Sequence, residues 1–231
     1  FYPIKCYSHM EQAKAAKKPS TKANPAQKIK EGYINYVLEH GAKPVSIFKF
    51  VKDLNVKEDL FYDHYNSFEN IEKEIWSDIF QGTITAITSD EVYNEYSSRE
   101  KLLAFFYTWV EQLKANRSFI LQSVPKKMKP EITPYYLEHV RNGFKEWIAD
   151  LLLEAKETDE VTTRPIISDR YDDAIWLQFL FILGFWMKDD TKSFEKTDAA
   201  IEKSVNLAFD LMGRGPLDAM VDFGKFLFQN R

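Results

Sequence analysis

Cysteine is nearly missing from this chain, and the single one, Cys6, excludes an internal disulfide framework and a thiolate cage for a metal. That scarcity suits a reducing compartment, with the cytoplasm as the default. Histidine is almost as rare. His9, His40, His64 and His139 lie far apart, with no carboxylate or cysteine at metal-ligand spacing, so no metal site is expected. There is no glycine-rich phosphate loop; "GRGP" at Gly213 to Pro216 reads as a turn between helices. A nucleophile elbow is absent too, and scattered Ser, His and Asp residues define no triad, so neither an enzyme nor a cofactor is expected. No signal-peptide pattern is visible. The longest apolar run, Ala174 to Met187, is broken only by Gln178 and falls short of the about 20 residues that a bilayer requires.

What is present is apolar and aromatic. Apolar residues make up 45% and aromatics 15% of the 231 residues, while glycine and proline number only 8 and 9, which argues for a globular, helix-rich protein. A net charge of −4 means that any surface for a polyanion must be local. Residues 1–26 read as a basic mobile arm, with Lys14, Lys17, Lys18 and Lys22 against Glu11 alone. Within it, His9 and Met10 have the form of a vector junction, which would make Met10 the natural start.

Helical spacing begins at Gln27 and carries Ile29, Tyr33, Tyr36 and Val37 inward until Gly41 closes the element. Ser46 can cap a short second helix that ends at Asn55, a third runs from Lys57 to about Tyr65, and a fourth buries Phe68, Ile71, Ile75, Trp76 and Phe80. Beyond this head, Ser97 and Glu100 form a capping box that opens a long helix through Gln122. Further helices are predicted from Pro134 to about Ala155, Asp169 to Met187, Ser193 to Met212 and Pro216 to Phe228. No strand-period alternation of useful length occurs. The fold class is therefore all-α, with about nine helices: a head over 27–76 and a larger helical body over 77–231.

The layout resembles the TetR family, in which a small helix-turn-helix head sits on a larger helical body. The likeness rests on "SIFKFVKDLNV" followed by "LFYDHYNSFENI". Tyr62, His64 and Tyr65 match the family's aromatic pattern, Gly41 its first-helix stop, and Ser46 its helix cap. The resemblance implies a DNA-binding, homodimeric transcriptional regulator without enzymatic activity, reading an operator through Ser46, Lys49, Lys52, Lys57, Tyr62 and His64. The chemistry departs from the family where its recognition helix opens. Lys57, Glu58, Asp59 and Leu60 stand there, and carboxylates near a polyanion repel. Phe68 replaces the lysine that in the family contacts the DNA backbone. Farther on, "DDTKSFEKTDAAI" from Asp189 to Ile201 is similar to the lipid-binding accessory protein of ubiquinone biosynthesis, which has the same fold and is not a repressor. A lipid-binding protein without specific DNA binding is therefore the alternative.

In the body, Phe105, Phe106, Trp109, Tyr136, Phe144, Trp147, Trp176 and Phe179 either pack as an aromatic core or line a pocket for an apolar small molecule or lipid. Leu180, Leu183, Val205 and Phe209 are the expected apolar contacts of a homodimer. The final helix is apolar over more than half its circumference, so it packs between two surfaces or offers a face to lipid, without stable membrane insertion.

Overall fold

The computed structural model describes residues 24–125, 132–164 and 167–229. The expected basic arm lies outside the described residues except for Asn24 to Ala26. Among the described residues there are ten α-helices, joined by turns and four short 3-10 segments.

Four helices build the head. Helix α1, Pro25–His40, starts where the Asn24 side chain accepts from the Ala26 amide at 3.1 Å and where proline presets the first helical φ. It stops at Gly41, whose φ of 66° is open to glycine at no steric cost. Helix α2, Ile47–Asp53, is capped by Ser46, and Asn55 takes the left-handed turn (φ 51°) that leads to α3, Glu58–Tyr62. Helix α3 is only five residues long, shorter than its predicted run to Tyr65. Helix α4, Phe68–Thr88, is capped by Ser67 and passes through the expected boundary at 76/77 without a break. Phe50 sits at the centre of the head, edge-on to Tyr33 and to Phe68, with ring centroids 6.3 and 5.4 Å away.

The body comprises α5 (Ser98–Ala115), α6 (Arg117–Ser123), α7 (Glu138–Glu157), α8 (Tyr171–Lys188), α9 (Glu195–Met212) and α10 (Pro216–Gln229). The capping box is formed: Ser97 N–H donates to the Glu100 carboxylate at 2.8 Å, and the Glu100 amide donates to Ser97 Oγ at 3.3 Å. Helix α5 packs on α4, α7 and α9, while α8 lies between α7 and α9. The predicted helix over 98–122 is broken at Asn116, whose side-chain amide donates to the Gln112 carbonyl at 2.9 Å. The break turns Arg117 toward the end of α8. Its guanidinium lies over the rings of Trp186 and Phe194, 4.6 and 4.8 Å from their centroids.

The turn from α8 to α9 has no glycine, yet Ser193 and Phe194 both adopt left-handed backbone (φ 56° and 63°). Such residues persist only where the surroundings over-determine them. Asp189 supplies the constraint, accepting from the Thr191 amide at 2.9 Å and from the Thr197 amide and hydroxyl at 2.9 and 2.6 Å. Burial opposes its charge, but these hydrogen bonds hold its carboxyl well below the ordinary range. Asp189 and Thr197 therefore have a structural task in this turn. Among the described residues no helix is long and apolar enough to cross a membrane.

The close approach of α7 to α4 depends on Gly143, where an added Cβ would meet the Phe80 ring at 2.8 Å. Phe144 beside it is fully buried. Phe144→Ala is expected to cost about 3–5 kcal/mol, the range for truncating a buried aromatic. Denaturant unfolding followed by fluorescence measures the loss, and a cost below about 1 kcal/mol would contradict the packing.

Candidate functional site

The head face carries the six expected DNA-contact residues with unequal freedom. Lys49, Lys52, Lys57, Tyr62 and His64 are exposed. Ser46 is exposed as well but is engaged locally, since its Oγ accepts from the Lys49 amide at 3.4 Å. Lys57 stands at the N-cap position of α3 with no side-chain capping bond. A shallow concavity of about 390 Å³ opens between the start of α2 and the start of α4, and of the six only Ser46 and Tyr62 line it. Its other walls include Val45, Phe48, Glu58 and Glu69. Val45 is 97% exposed and Phe48 is 61% exposed, so the surface is apolar and acidic where a phosphate-binding face would be basic.

Behind that face, a polar junction joins the head to the body. Glu72 on α4 is buried, and its carboxylate accepts from the Tyr33 hydroxyl at 2.6 Å, the Tyr135 hydroxyl at 2.5 Å and Lys43 Nζ at 2.7 Å. The donors come from α1, from the turn before α7 and from the loop after α1. Burial and the bond to Glu72 push the Tyr33 hydroxyl far above the ordinary tyrosine range and raise Tyr135 to about 12. Lys43 is raised as well: burial opposes its charge, and the bonds to Glu72 and Tyr135 outweigh that. Nearby, Lys30 binds Glu74 at 2.8 Å and also contacts Asp78, tying α1 to α4 a second time. Sequence reasoning missed Glu72, although its place one turn before Trp76 puts a carboxylate on the apolar stripe of α4.

The aromatic set is packed ring against ring. Phe105 lies 4.6 Å from Trp147, Phe179 lies 4.9 Å from Trp176 and 5.2 Å from Trp109, and Phe144 lies 5.0 Å from Phe179. Phe106 meets Phe105 at 5.4 Å, and Tyr136 turns toward Trp76 at 5.1 Å. All eight are buried except Trp147, which is half-buried and donates from Nε1 to the Tyr93 hydroxyl at 3.3 Å. The expected pocket-lining residues are thus core residues. The rings pack against one another between α5, α7 and α8.

The expected dimer contacts also need correction. Leu183, Val205 and Phe209 are buried in the chain's own core, and Leu180 is half-buried, so they have little surface to offer a second molecule. The outward faces of the same two helices carry Leu177, Phe181, Leu207 and Leu211 instead, with Leu207 59% exposed. Between them runs a groove of about 800 Å³ with Ala174, Ala200 and Ala208 on its walls and Arg170 and Lys203 as its cations. Helix α8 is apolar nearly all round, so periodicity alone does not tell its inner side from its outer one.

At one end of the groove Arg164 holds the junction of α9 and α10. It is buried, and it donates to both carboxylate oxygens of Asp218 at 2.6 and 2.9 Å, to the Tyr171 hydroxyl at 2.8 Å, and to the carbonyls of Leu211, Met212 and Gly213 at 3.1, 3.0 and 2.6 Å. The orphan carbonyls at the end of α9 thereby find a cation. The Arg164 pair, and then the Gly215 amide, hold the Asp218 carboxyl down at about 2. No sequence pattern links Arg164 to Asp218.

Residues 101–227 match a family model described as tetracyclin repressor-like, C-terminal domain. No curated protein matches the chain. Among solved structures, a candidate tetR family transcription regulator from Shewanella sp. PV-4 is similar with a TM-score of 0.56 and 16% identity, over 82% of this chain and 98% of that one. A protein of unknown function from Rhodococcus sp. RHA1 is similar at 0.54 and 12% identity, over 86% of this chain and 100% of that one. A bacterial regulatory protein in the tetR family from Rhodococcus RHA1 gives 0.51 and 14%, over 84% and 100%. At these identities the likeness is one of fold.

Both ends of the pH scale report on these clusters. Tyr33 and Tyr135 keep their protons to higher pH folded than unfolded, where tyrosine titrates near 10. Their contribution to stability is whole below about pH 10 and falls as pH rises toward 12, and Glu72→Gln should make that fall shallower in alkaline unfolding curves. Asp218 behaves oppositely, its contribution being present above about pH 4 and lost as pH drops through 2. The Gly215 amide resonance should titrate with a midpoint near 2. A midpoint near the ordinary carboxyl value would mean that the Arg164 pair is not formed.

Proposed function

Since the chain belongs to the TetR family, we propose that it is a DNA-binding transcriptional regulator acting as a homodimer. The observation that carries this reading is the head: α2, capped by Ser46, the Asn55 turn and α3 form a helix-turn-helix whose Lys49, Lys52 and Lys57 are exposed. The outward apolar faces of α8 and α9 support pairing of two copies, which would present two heads to half-sites about one helical turn apart. The reading keeps response to an apolar small molecule, for which the close ring contacts between α5, α7 and α8 do not by themselves supply a site.

A second reading, a protein of the same fold without specific DNA binding, is favoured by one feature. Glu58 and Asp59 stand in the first turn of α3, with Val45 and Phe48 exposed beside them. Carboxylates stabilise a helix N-terminus and repel phosphate, so the residues that help α3 form also weaken its contact with DNA.

A titration of purified protein on its own upstream region separates the readings. A regulator should bind specific sequence with a log-log salt slope of about −0.9 per phosphate contact, and bind random sequence far more weakly. Replacing Glu58 by Lys and Asp59 by Gly should tighten binding about fivefold or more, since each removed repulsion is worth on the order of half a kcal/mol or more. Equal, salt-insensitive affinity for both sequences would select the second reading. Sedimentation should show a dimer at micromolar concentration, and Leu207→Glu should shift it toward monomer. A wild-type monomer would remove the half-site argument.

A further inference from the structure

The concavity between the starts of α2 and α4 combines exposed apolar side chains with carboxylates that have little to hold. Val45, Phe48 and Tyr62 are all exposed there. Among the described residues Glu58 enters no ion pair, and Glu69 meets Lys43 only at 3.7 Å. Such a surface suits a ligand that brings cations on apolar stems, which is the chemistry of lysine. An ammonium group is also attracted to ring faces such as those of Phe48 and Tyr62.

The chain carries such a ligand ahead of α1, in "KAAKK", Lys14 to Lys18. The carboxylates beside the first half of α1 are already engaged: Glu74 and Asp78 hold Lys30, and Glu31 accepts from the Gln27 side-chain amide at 2.8 Å. Glu58 is not. Reach favours the same segment. The concavity lies near the far end of α1, since Pro44 and Glu69 line it and Lys43 contacts Glu69. Sixteen helical residues put that end about 24 Å from the start of α1, whereas the stretch from Lys14 to Asn24 extends to about 33 Å. The path along α3 is shorter still: the Tyr65 hydroxyl donates to the Ala26 carbonyl at 3.5 Å, and Tyr62, three residues before Tyr65, lines the concavity.

We propose that Lys14 to Lys18 closes over the head of its own chain, with its cations on Glu58 and Glu69 and its methylene stems on Val45, Phe48 and Tyr62. Tethering favours this head over that of a second copy, because a segment on a short linker is present at about millimolar effective concentration. The contact itself does not require DNA binding. Under the regulator reading it acts as a cover: Ser46 and Tyr62 lie on the covered face, so DNA must displace the segment before α3 can approach a groove.

Cysteine trapping in the full-length chain on a Cys6→Ser background tests the closure. Lys17→Cys is combined with Val45→Cys at the concavity or, as a control, with Glu31→Cys on the nearer part of α1; both positions are exposed, so neither change disturbs the core. Disulfide closure on Val45→Cys is expected to be the faster despite the longer path, and to lose that lead at about 1 M salt, where charges are screened beyond about 3 Å. It should slow about fivefold when Glu58→Gln and Glu69→Gln remove two exposed ion pairs. Equal or slower closure on Val45→Cys than on Glu31→Cys would overturn the proposal. So would a lead that neither salt nor the two neutralised carboxylates reduce. A disulfide that forms only between differently tagged copies assigns the segment to a second molecule and defeats closure within one chain. A duplex of the protein's own upstream region should slow closure on Val45→Cys, and unchanged closure in the saturated complex would show that DNA and the segment do not share the face. If no sequence is bound specifically, the regulator reading fails, while the closure rates still decide the contact.

Discussion

Glu72 is one carboxylate inside the protein, and the relation of head to body depends on it. A buried charge is tolerated only when its lone pairs are met, and here three donors from three segments meet them. Removing any one donor would leave the others around an under-satisfied anion, so Tyr33, Lys43 and Tyr135 are held together as a set. Because Tyr135 precedes α7, a shift of the body at that turn has a direct mechanical path to α1 and to the loop that leads into α2. Gly143 works alongside it, since the missing side chain lets α7 lie close enough to α4 for Tyr135 to reach.

The local features of this fold were legible in the sequence because they are local. Gly41, Ser46, Asn55 and the Ser97–Glu100 box each act on backbone groups within a few residues, and each appears where pattern and stereochemistry put it. The resemblance was drawn from residues 27–76, whereas the family match covers 101–227. Head and body thus point to the same fold from separate parts of the chain. What was not legible depends on distance. The break at Asn116 serves Arg117, whose partners lie about 70 residues on; the Arg164–Asp218 pair spans 54 residues. Neither leaves a mark that a window on the sequence can detect.

The dimer contacts show a different limit. On α9, Val205 and Phe209 form one apolar stripe and Leu207 and Leu211 another on the opposite side, so amphipathicity gives two candidate inner faces. Helix α8 is less informative still, since apolar residues surround it. Only the position of α5, against which Phe209 packs beneath Arg99 at 5.5 Å, decides which stripe is core. The aromatic residues were legible as a cluster but not as filled or hollow, since composition does not report how rings interlock.

The glycine-free reversal between α8 and α9 has a consequence for how the body comes apart. Its two left-handed residues are held by side chains from three places: Asp189 at the end of α8, Thr197 in α9, and Arg117 from α6 through the rings of Trp186 and Phe194. A reversal made by glycine would loosen gradually, residue by residue. This one has no intermediate setting, because losing the Asp189 bonds exposes the strain of both residues together. The hairpin that carries the groove should therefore open as one cooperative unit, with amides from Trp186 to Ile201 sharing a single opening free energy.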